Sequence, residues 1–290
     1  MVLRSMLFVP AYNKKFLDSA LRKNADALIL DLEDSVPEVY KADAREILRE
    51  YLKKEEFQNR VIFIRLNPIE SGLLLEDLEV SMNTNVNGFV LSKIYTNEDI
   101  QYYDNLISKY EENHEIRKGH FKFLPLIETT SAVLDVYNIA KASNRIIGLA
   151  FGGEDFLNDL HGIHGEPPRT FDYPRAKIAL AARSAGVLPI DTPYLDLHDD
   201  DGFIKEESVS FEMGFAGCML IHPSQIGLAN RCFMPCEEEV EKSRRIFAAI
   251  REAEKKGSGV AMLDGKMIGP PMRKRAEKVL ELIKLVGEDG

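Results

Sequence analysis

Residues 27–36 read ALILDLEDSV, an apolar run from Ala27 to Leu32 that carries Asp31 near its end and breaks into Glu33 and Asp34. The run is continuous rather than alternating. Strands buried on both faces look this way, and parallel sheets are the sheets whose two faces are covered. Similar runs recur through the first 222 residues: Met6 to Val9, Val61 to Leu66, Gly88 to Leu91, Phe121 to Ile127, Ile146 to Phe151, Val187 to Ile190 and Gly217 to Ile221. Between them lie segments with helical spacing, such as Phe16, Leu17, Ala20 and Leu21, or Ile100, Tyr103, Leu106, Ile107 and Tyr110. Asn13 and Asp172 read as N-caps, Pro174 as a first-turn residue and Gly186 as a helix stop.

Eight strand–helix alternations predict an α/β fold, a parallel (β/α)8 TIM barrel. A doubly wound open sheet is the competing arrangement, but the Gly-rich fingerprint that would favour it is missing. After Pro235 the rhythm changes. Glu237 to Lys256 reads as one charged helix, followed by a loop from Gly257 to Pro271 and a second helix to about Val286. Residues 1–235 are therefore expected to form the barrel. Residues 236–290 are expected to form a helical appendage that covers the barrel mouth or contacts a neighbouring subunit.

The 290 residues are 45% hydrophobic and 29% charged, which excludes a disordered or fibrous chain. A net charge of −10 argues against non-specific nucleic-acid or anionic-membrane binding. No stretch approaches the roughly 20 apolar residues of a membrane span, and the N-terminus lacks a signal-peptide pattern. Cys218, Cys232 and Cys236 form no disulfide framework, and Cys232-x3-Cys236 has no second Cys/His pair to complete a zinc site. A cytoplasmic protein is the expectation.

Barrel active sites lie at the C-terminal ends of the strands. Here those ends read Asp31-Leu32-Glu33-Asp34, Arg65-Leu66-Asn67, Ser92-Lys93, Glu128-Thr129, Gly152-Gly153-Glu154-Asp155, Asp191 and His222. Acids crowded into one mouth are costly unless a cation or a proton neutralises them. Oxygen donors with few neutral nitrogens favour Mg²⁺, or Mn²⁺, over zinc. Paired glycines let the backbone approach an anion, and Arg65 offers a forked donor to a carboxylate. Together these features describe a site for a 2-oxo acid, its carbonyl polarised by the metal. Simpler roles compete: loop acid or N-cap for Asp34 and Asp99, interior ion-pair partner for Lys93, and hydrogen-bonded core histidine for His222. Metal ligation by His161 or His164 is the weaker reading.

Several segments resemble the citrate lyase β-subunit/malyl-CoA lyase group within the HpcH/HpaI aldolase superfamily. They are Arg4 to Pro10, Ala27 to Val36 with Lys41 and Ala44-Arg45, Ile64 to Asn67, Leu126 to Thr129, Phe151 to Phe156, Ile221 to Ile226 and Leu263 to Ile268. The resemblance implies a TIM barrel with a C-terminal helical lid, assembled as a homotrimer or hexamer. It implies Glu128 and Asp155 as Mg²⁺ ligands and Arg65 as the substrate-carboxylate binder. Glu128 and the Gly153, Glu154, Asp155 turn hold the oxo acid in this reading, and Arg65, Glu128 and Asp155 carry catalysis. Lys14, Lys41 and Arg45 are implied to contact the phosphates of the thioester carrier. The implied reaction cleaves a 3-hydroxyacyl thioester, of the citramalyl-CoA or malyl-CoA type, to acetyl-CoA and a 2-oxo acid. A citryl-carrier-protein lyase subunit, an acyl-CoA thioesterase and a non-catalytic binding subunit are the alternatives. One position departs from the family: the acidic residue that many members place after Met-Ile in the lid is Gly269 here.

Overall fold

In a computed structural model that describes residues 1–165, 169–257 and 260–288, the apolar runs form a closed barrel of eight parallel strands paired in sequence order. The strands are β1 (Ser5–Pro10), β2 (Ala27–Asp31), β3 (Ile62–Leu66), β4 (Gly88–Leu91), β5 (Lys122–Ile127), β6 (Gly148–Phe151), β7 (Leu188–Asp191) and β8 (Gly217–Leu220). Closure comes from β8 pairing with β1, Ser5 lying opposite Cys218. The long runs are explained by two burial environments on each strand. Met6, Ala27, Ile29, Phe63, Val90, Leu124, Leu126, Ala150, Ile190 and Met219 fill one cluster, the barrel interior. Their alternate neighbours, such as Leu7, Leu28, Leu30, Ile64, Phe89 and Leu149, join the larger cluster beneath the helices.

The surrounding helices are α1 (Lys14–Leu21), α2 (Lys41–Tyr51), α3 (Glu55–Gln58), α4 (Leu74–Ser81), α5 (Asn97–Asn113) and α6 (Thr130–Lys141), then α7 (Gly153–Asp159), α8 (Asp172–Ala185), α9 (Asp200–Glu212) and α10 (Ile226–Cys232). Asn13 caps α1, its side chain accepting from the backbone N–H groups of Lys15 and Phe16. Asp172 is not a cap. Phe171 takes that position and Asp172 is the first helical residue, where its carboxylate faces the positive end of the helix dipole. Pro174 lies in that first turn, and Gly186 ends α8 in a left-handed conformation at φ 78°.

The chain divides into two compact units: residues 3–233, and residues 234–290 with 1–2. The second unit contains α11 (Glu237–Lys255) and α12 (Pro270–Glu288), which lie against each other. Arg275 reaches Glu239 across them at 3.5 Å. Instead of a plain loop between the two helices, β9 (Met262–Leu263) and β10 (Lys266–Met267) form an antiparallel hairpin. Asp264 and Gly265 both adopt positive φ, 48° and 75°. An Asp-Gly pair is the residue choice that a tight hairpin turn of this hand requires. Among the described residues no helix is long and apolar enough to cross a membrane.

Candidate active site

The mouth follows from strand parity. Asp31 and Arg65 continue the interior faces of β2 and β3, and the register sets them opposite each other. The Arg65 guanidinium donates from Nε to Asp31 Oδ1 at 2.7 Å and from Nη2 to Oδ2 at 2.6 Å. It also stacks over the Phe8 ring at 4.6 Å. Burial opposes ionisation of Asp31, but Arg65, the Ser35 hydroxyl and the Glu33 N–H outweigh it and hold the carboxyl below its usual range. Arg65 Nη1 faces Glu33 Oε2 at 3.2 Å and Asp34 at 3.7 Å. Glu33 Oε2 is buried without an aligned hydrogen bond. Burial first, with Asp34 and Asp31 adding repulsion against the pull of Arg65, pushes Glu33 up to about 7.

Across the mouth, Glu128 extends the interior face of β5 and is 2% exposed. The backbone N–H of Lys93 donates to its Oε1 at 2.7 Å. The Lys93 ammonium lies 3.6 Å from Glu128 and 2.8 Å from Asp155, which sits in the first turn of α7. Burial again raises Glu128, to about 7, with Asp155 and Glu33 adding to the effect and Lys93 opposing it. The lysine is pulled the other way: burial disfavours its charge, but Glu128 and Asp155 prevail and raise its pKa. Lys93 also has φ 50°, a conformation that costs a non-glycine residue on the order of 1–3 kcal/mol and that gathers at functional sites.

Gly152 and Gly153 are required by close approach. A Cβ on Gly152 would stand 2.6 Å from Glu128 Cβ and 2.8 Å from its Oε2, and one on Gly153 would stand 2.7 Å from Thr192 Oγ1. The Gly153 N–H already donates to that hydroxyl at 2.9 Å. Glu154 turns away to solvent and pairs with His164 at 3.0 Å.

Other polar residues at the strand ends go elsewhere. Asp191 has the opposite parity to the interior Ile190, so it points beneath the helices and pairs with Arg175 of α8 at 2.9 Å. His222 is not a core histidine: it is exposed and its Nδ1 accepts from the Ser224 N–H at 3.2 Å, capping a short turn. Lys41 is buried, its ammonium donating to Leu32 O, Glu33 O and Asn67 Oδ1 at 2.7–2.9 Å. Arg45 is buried between Asp77 and Glu76. Lys41 is saturated and braces the segment after β2, while Arg45 ties α2 to α4, so both are engaged by protein partners instead of standing free for phosphate. Lys14 alone of the three is exposed, paired with Glu50 at 2.7 Å.

Lys93, Glu33, Asp31 and Thr192 are the members of the site that residue patterns undervalued. For Lys93 the signal was its place at a strand end beside an acid-rich mouth; its backbone conformation had none.

Five carboxylates, Asp31, Glu33, Asp34, Glu128 and Asp155, thus face two cations, Arg65 and Lys93. The donor set fits a hard divalent ion: oxygen ligands, two carboxylates gathered on one cation, and acids that burial and neighbouring carboxylates push up. Among the described residues no group of three or more His, Cys, Asp or Glu side chains surrounds one point.

The fold and this mouth define a (β/α)8-barrel protein with an acid-rich site at the C-terminal ends of its strands. A family model described as HpcH/HpaI aldolase/citrate lyase matches residues 4–223, and the chain belongs to that family. Citrate lyase subunit beta of Haemophilus influenzae is 34% identical over 281 residues, 97% of each chain. Mitochondrial citramalyl-CoA lyase of Rattus norvegicus is 28% identical over 98% of this chain and 87% of its own. The crystal structure of protein CitE from Mycobacterium tuberculosis in complex with magnesium, acetoacetate and coenzyme A has a TM-score of 0.77 and 27% identity over 97% of each chain. The first two relatives are named as lyases, whereas another, of Cereibacter sphaeroides, is named (3S)-malyl-CoA thioesterase and is 30% identical over 91% of this chain and 89% of its own.

Proposed function

We propose that the protein is an Mg²⁺-dependent carbon–carbon lyase that cleaves a 3-hydroxyacyl thioester, of the citramalyl-CoA or malyl-CoA type, to acetyl-CoA and a 2-oxo acid. The observation that carries the proposal is the pairing of Glu128 and Asp155 around one cation, across the mouth from Arg65. Glu128 and Asp155 are the residues that would hold the ion. Magnesium, when bound, supplies a Lewis acid for the oxygens of the oxo acid.

Asp31 fixes the Arg65 guanidinium through Nε and Nη2, and the Nη1 edge, which faces Glu33 and Asp34, is the one a substrate carboxylate would share. In the reaction the 3-hydroxyl loses its proton and becomes the carbonyl of the oxo acid. The electron pair of the breaking bond passes to the thioester enolate, whose carbon then takes up a proton. Preorganised cations at this mouth favour the developing negative charge, commonly the largest catalytic contribution. Lys14 is the exposed cation available to the carrier's phosphates, and a homotrimer or hexamer belongs to the same proposal.

The full-length kinship to a citrate lyase β subunit supports a second reading, in which the acyl group is citryl on a carrier protein. Incubating the protein with malyl-CoA, citramalyl-CoA and citryl thioesters, with and without EDTA, separates these. EDTA-sensitive release of an oxo acid and an acetyl thioester from one of them identifies the substrate. Free CoA with intact hydroxy acid overturns the lyase reading in favour of a thioesterase.

A further inference from the structure

Lys93 is held in an unusual way. Its backbone takes the left-handed conformation, φ 50°, and its N–H is fixed to Glu128 Oε1 at 2.7 Å, so the root of the side chain is anchored to the carboxylate. Its ammonium then folds back between Glu128 at 3.6 Å and Asp155 at 2.8 Å, the two acids that best suit a divalent ion. An ammonium and a divalent cation on the same two carboxylates repel each other strongly in a half-buried site, so they exclude one another. The Lys93 side chain is 27% exposed and ends a flexible four-carbon stem, which gives the ammonium room to leave while the backbone stays fixed.

We propose that the Lys93 ammonium is the resident counter-cation of the Glu128–Asp155 pair, displaced by the divalent ion and then offered to an anionic oxygen of the substrate. The inference rests on the metal-dependent reading above. Before metal arrives, the ammonium keeps two facing carboxylates from repelling each other. Once displaced, it stands beside an acidic mouth without its partners, with Glu33 and Asp159 the further acids near enough to influence it. A 2-oxo acid carboxylate restores its pairing. Metal and oxo acid therefore bind cooperatively, and linkage makes the coupling reciprocal. Lys93 is a substrate-binding residue in this scheme.

The test is calorimetric titration of Mg²⁺ into the whole protein, alone and with saturating pyruvate, for wild type, Lys93→Met and Lys93→Arg. Lys93→Met keeps the stem and removes the competitor. It should bind Mg²⁺ alone about tenfold tighter than wild type, within the usual range of such couplings, and pyruvate should tighten it less than it tightens wild type. Lys93→Arg retains a cation and should stay near wild type in the first measurement, and its thermal melting reports whether the site has kept its fold. Equal or weaker Mg²⁺ binding by folded Lys93→Met overturns the displacement. Absence of Mg²⁺ binding by wild type, with or without pyruvate, overturns the metal-dependent reading itself and is thereby distinguished from failure of the Lys93 inference.

Discussion

Glu128 concentrates the residue-scale chemistry, because one buried carboxyl accepts from the Lys93 backbone, meets the Lys93 ammonium and lies against Gly152. Replacing Glu128 or Asp155 by alanine should abolish EDTA-sensitive turnover, a loss of at least about 10²-fold, while circular dichroism stays native. The raised Glu128 carboxyl, at about 7, also makes a prediction for the metal-free protein. An acid whose folded pKa exceeds its unfolded value contributes stability below the unfolded value, near 4.5, and loses it as pH rises through the folded one. The unfolding free energy from urea melts in EDTA should therefore fall between about pH 4.5 and about pH 7, by up to about 3 kcal/mol for a shift of this size. In Glu128→Gln the slope should be shallower; an unchanged slope would assign the loss to Glu33, which is raised to the same range.

Two glycines at the ends of elements show how single positions set local geometry. Gly152 precedes α7 with no room for a methyl group beside Glu128. Gly152→Ala should therefore destabilise by about 1–3 kcal/mol and, by displacing Glu128, weaken Mg²⁺ binding as followed by calorimetry. Gly269 is different. Its carbonyl accepts from Met272 and Arg273 at the start of α12, and a Cβ there meets nothing closer than Pro271 Cδ at 3.7 Å. Gly269→Asp is thus sterically free and changes capping by only a few tenths of a kcal/mol. If an acid at this position can hand a proton to the enolate carbon, lyase turnover should rise tenfold or more in steady-state assays, since general acids and bases contribute about 10²–10⁴-fold. A flat rate with unchanged melting would assign proton transfer to another group.

At the scale of the whole molecule, the excess of carboxylates over cations at the mouth links metal binding to folding stability. Mg²⁺ at a hundred times its dissociation constant should stabilise the protein by about 2.7 kcal/mol, seen as an EDTA-reversible rise in melting temperature. No shift at any concentration would remove the metal from the proposal. The barrel itself was legible in the sequence, because continuous runs such as Ala27 to Leu32 and helical spacings between them leave few other arrangements for buried parallel strands. The family was legible as well, through motifs spread along the chain. Local signals also mislead: Asp264-Gly265 lies between two helices where spacing predicts a plain loop but forms a hairpin turn, and Asp191 ends a barrel strand but on the parity that faces the helices.

What the sequence determined by itself, then, was the order of strands and helices, the family and the acids at the strand ends, all of which depend on patterns a few residues long. Only the tertiary structure decided how those charges were distributed. Arg65 is locked to Asp31, Lys41 is saturated by protein oxygens, Arg45 is paired with Asp77 and Glu76, and Lys93 bends back onto Glu128 and Asp155. The physical reason is that these partners belong to different strands or to helices beside them. Strand register and the reach of long side chains bring them together, and no local spacing records either.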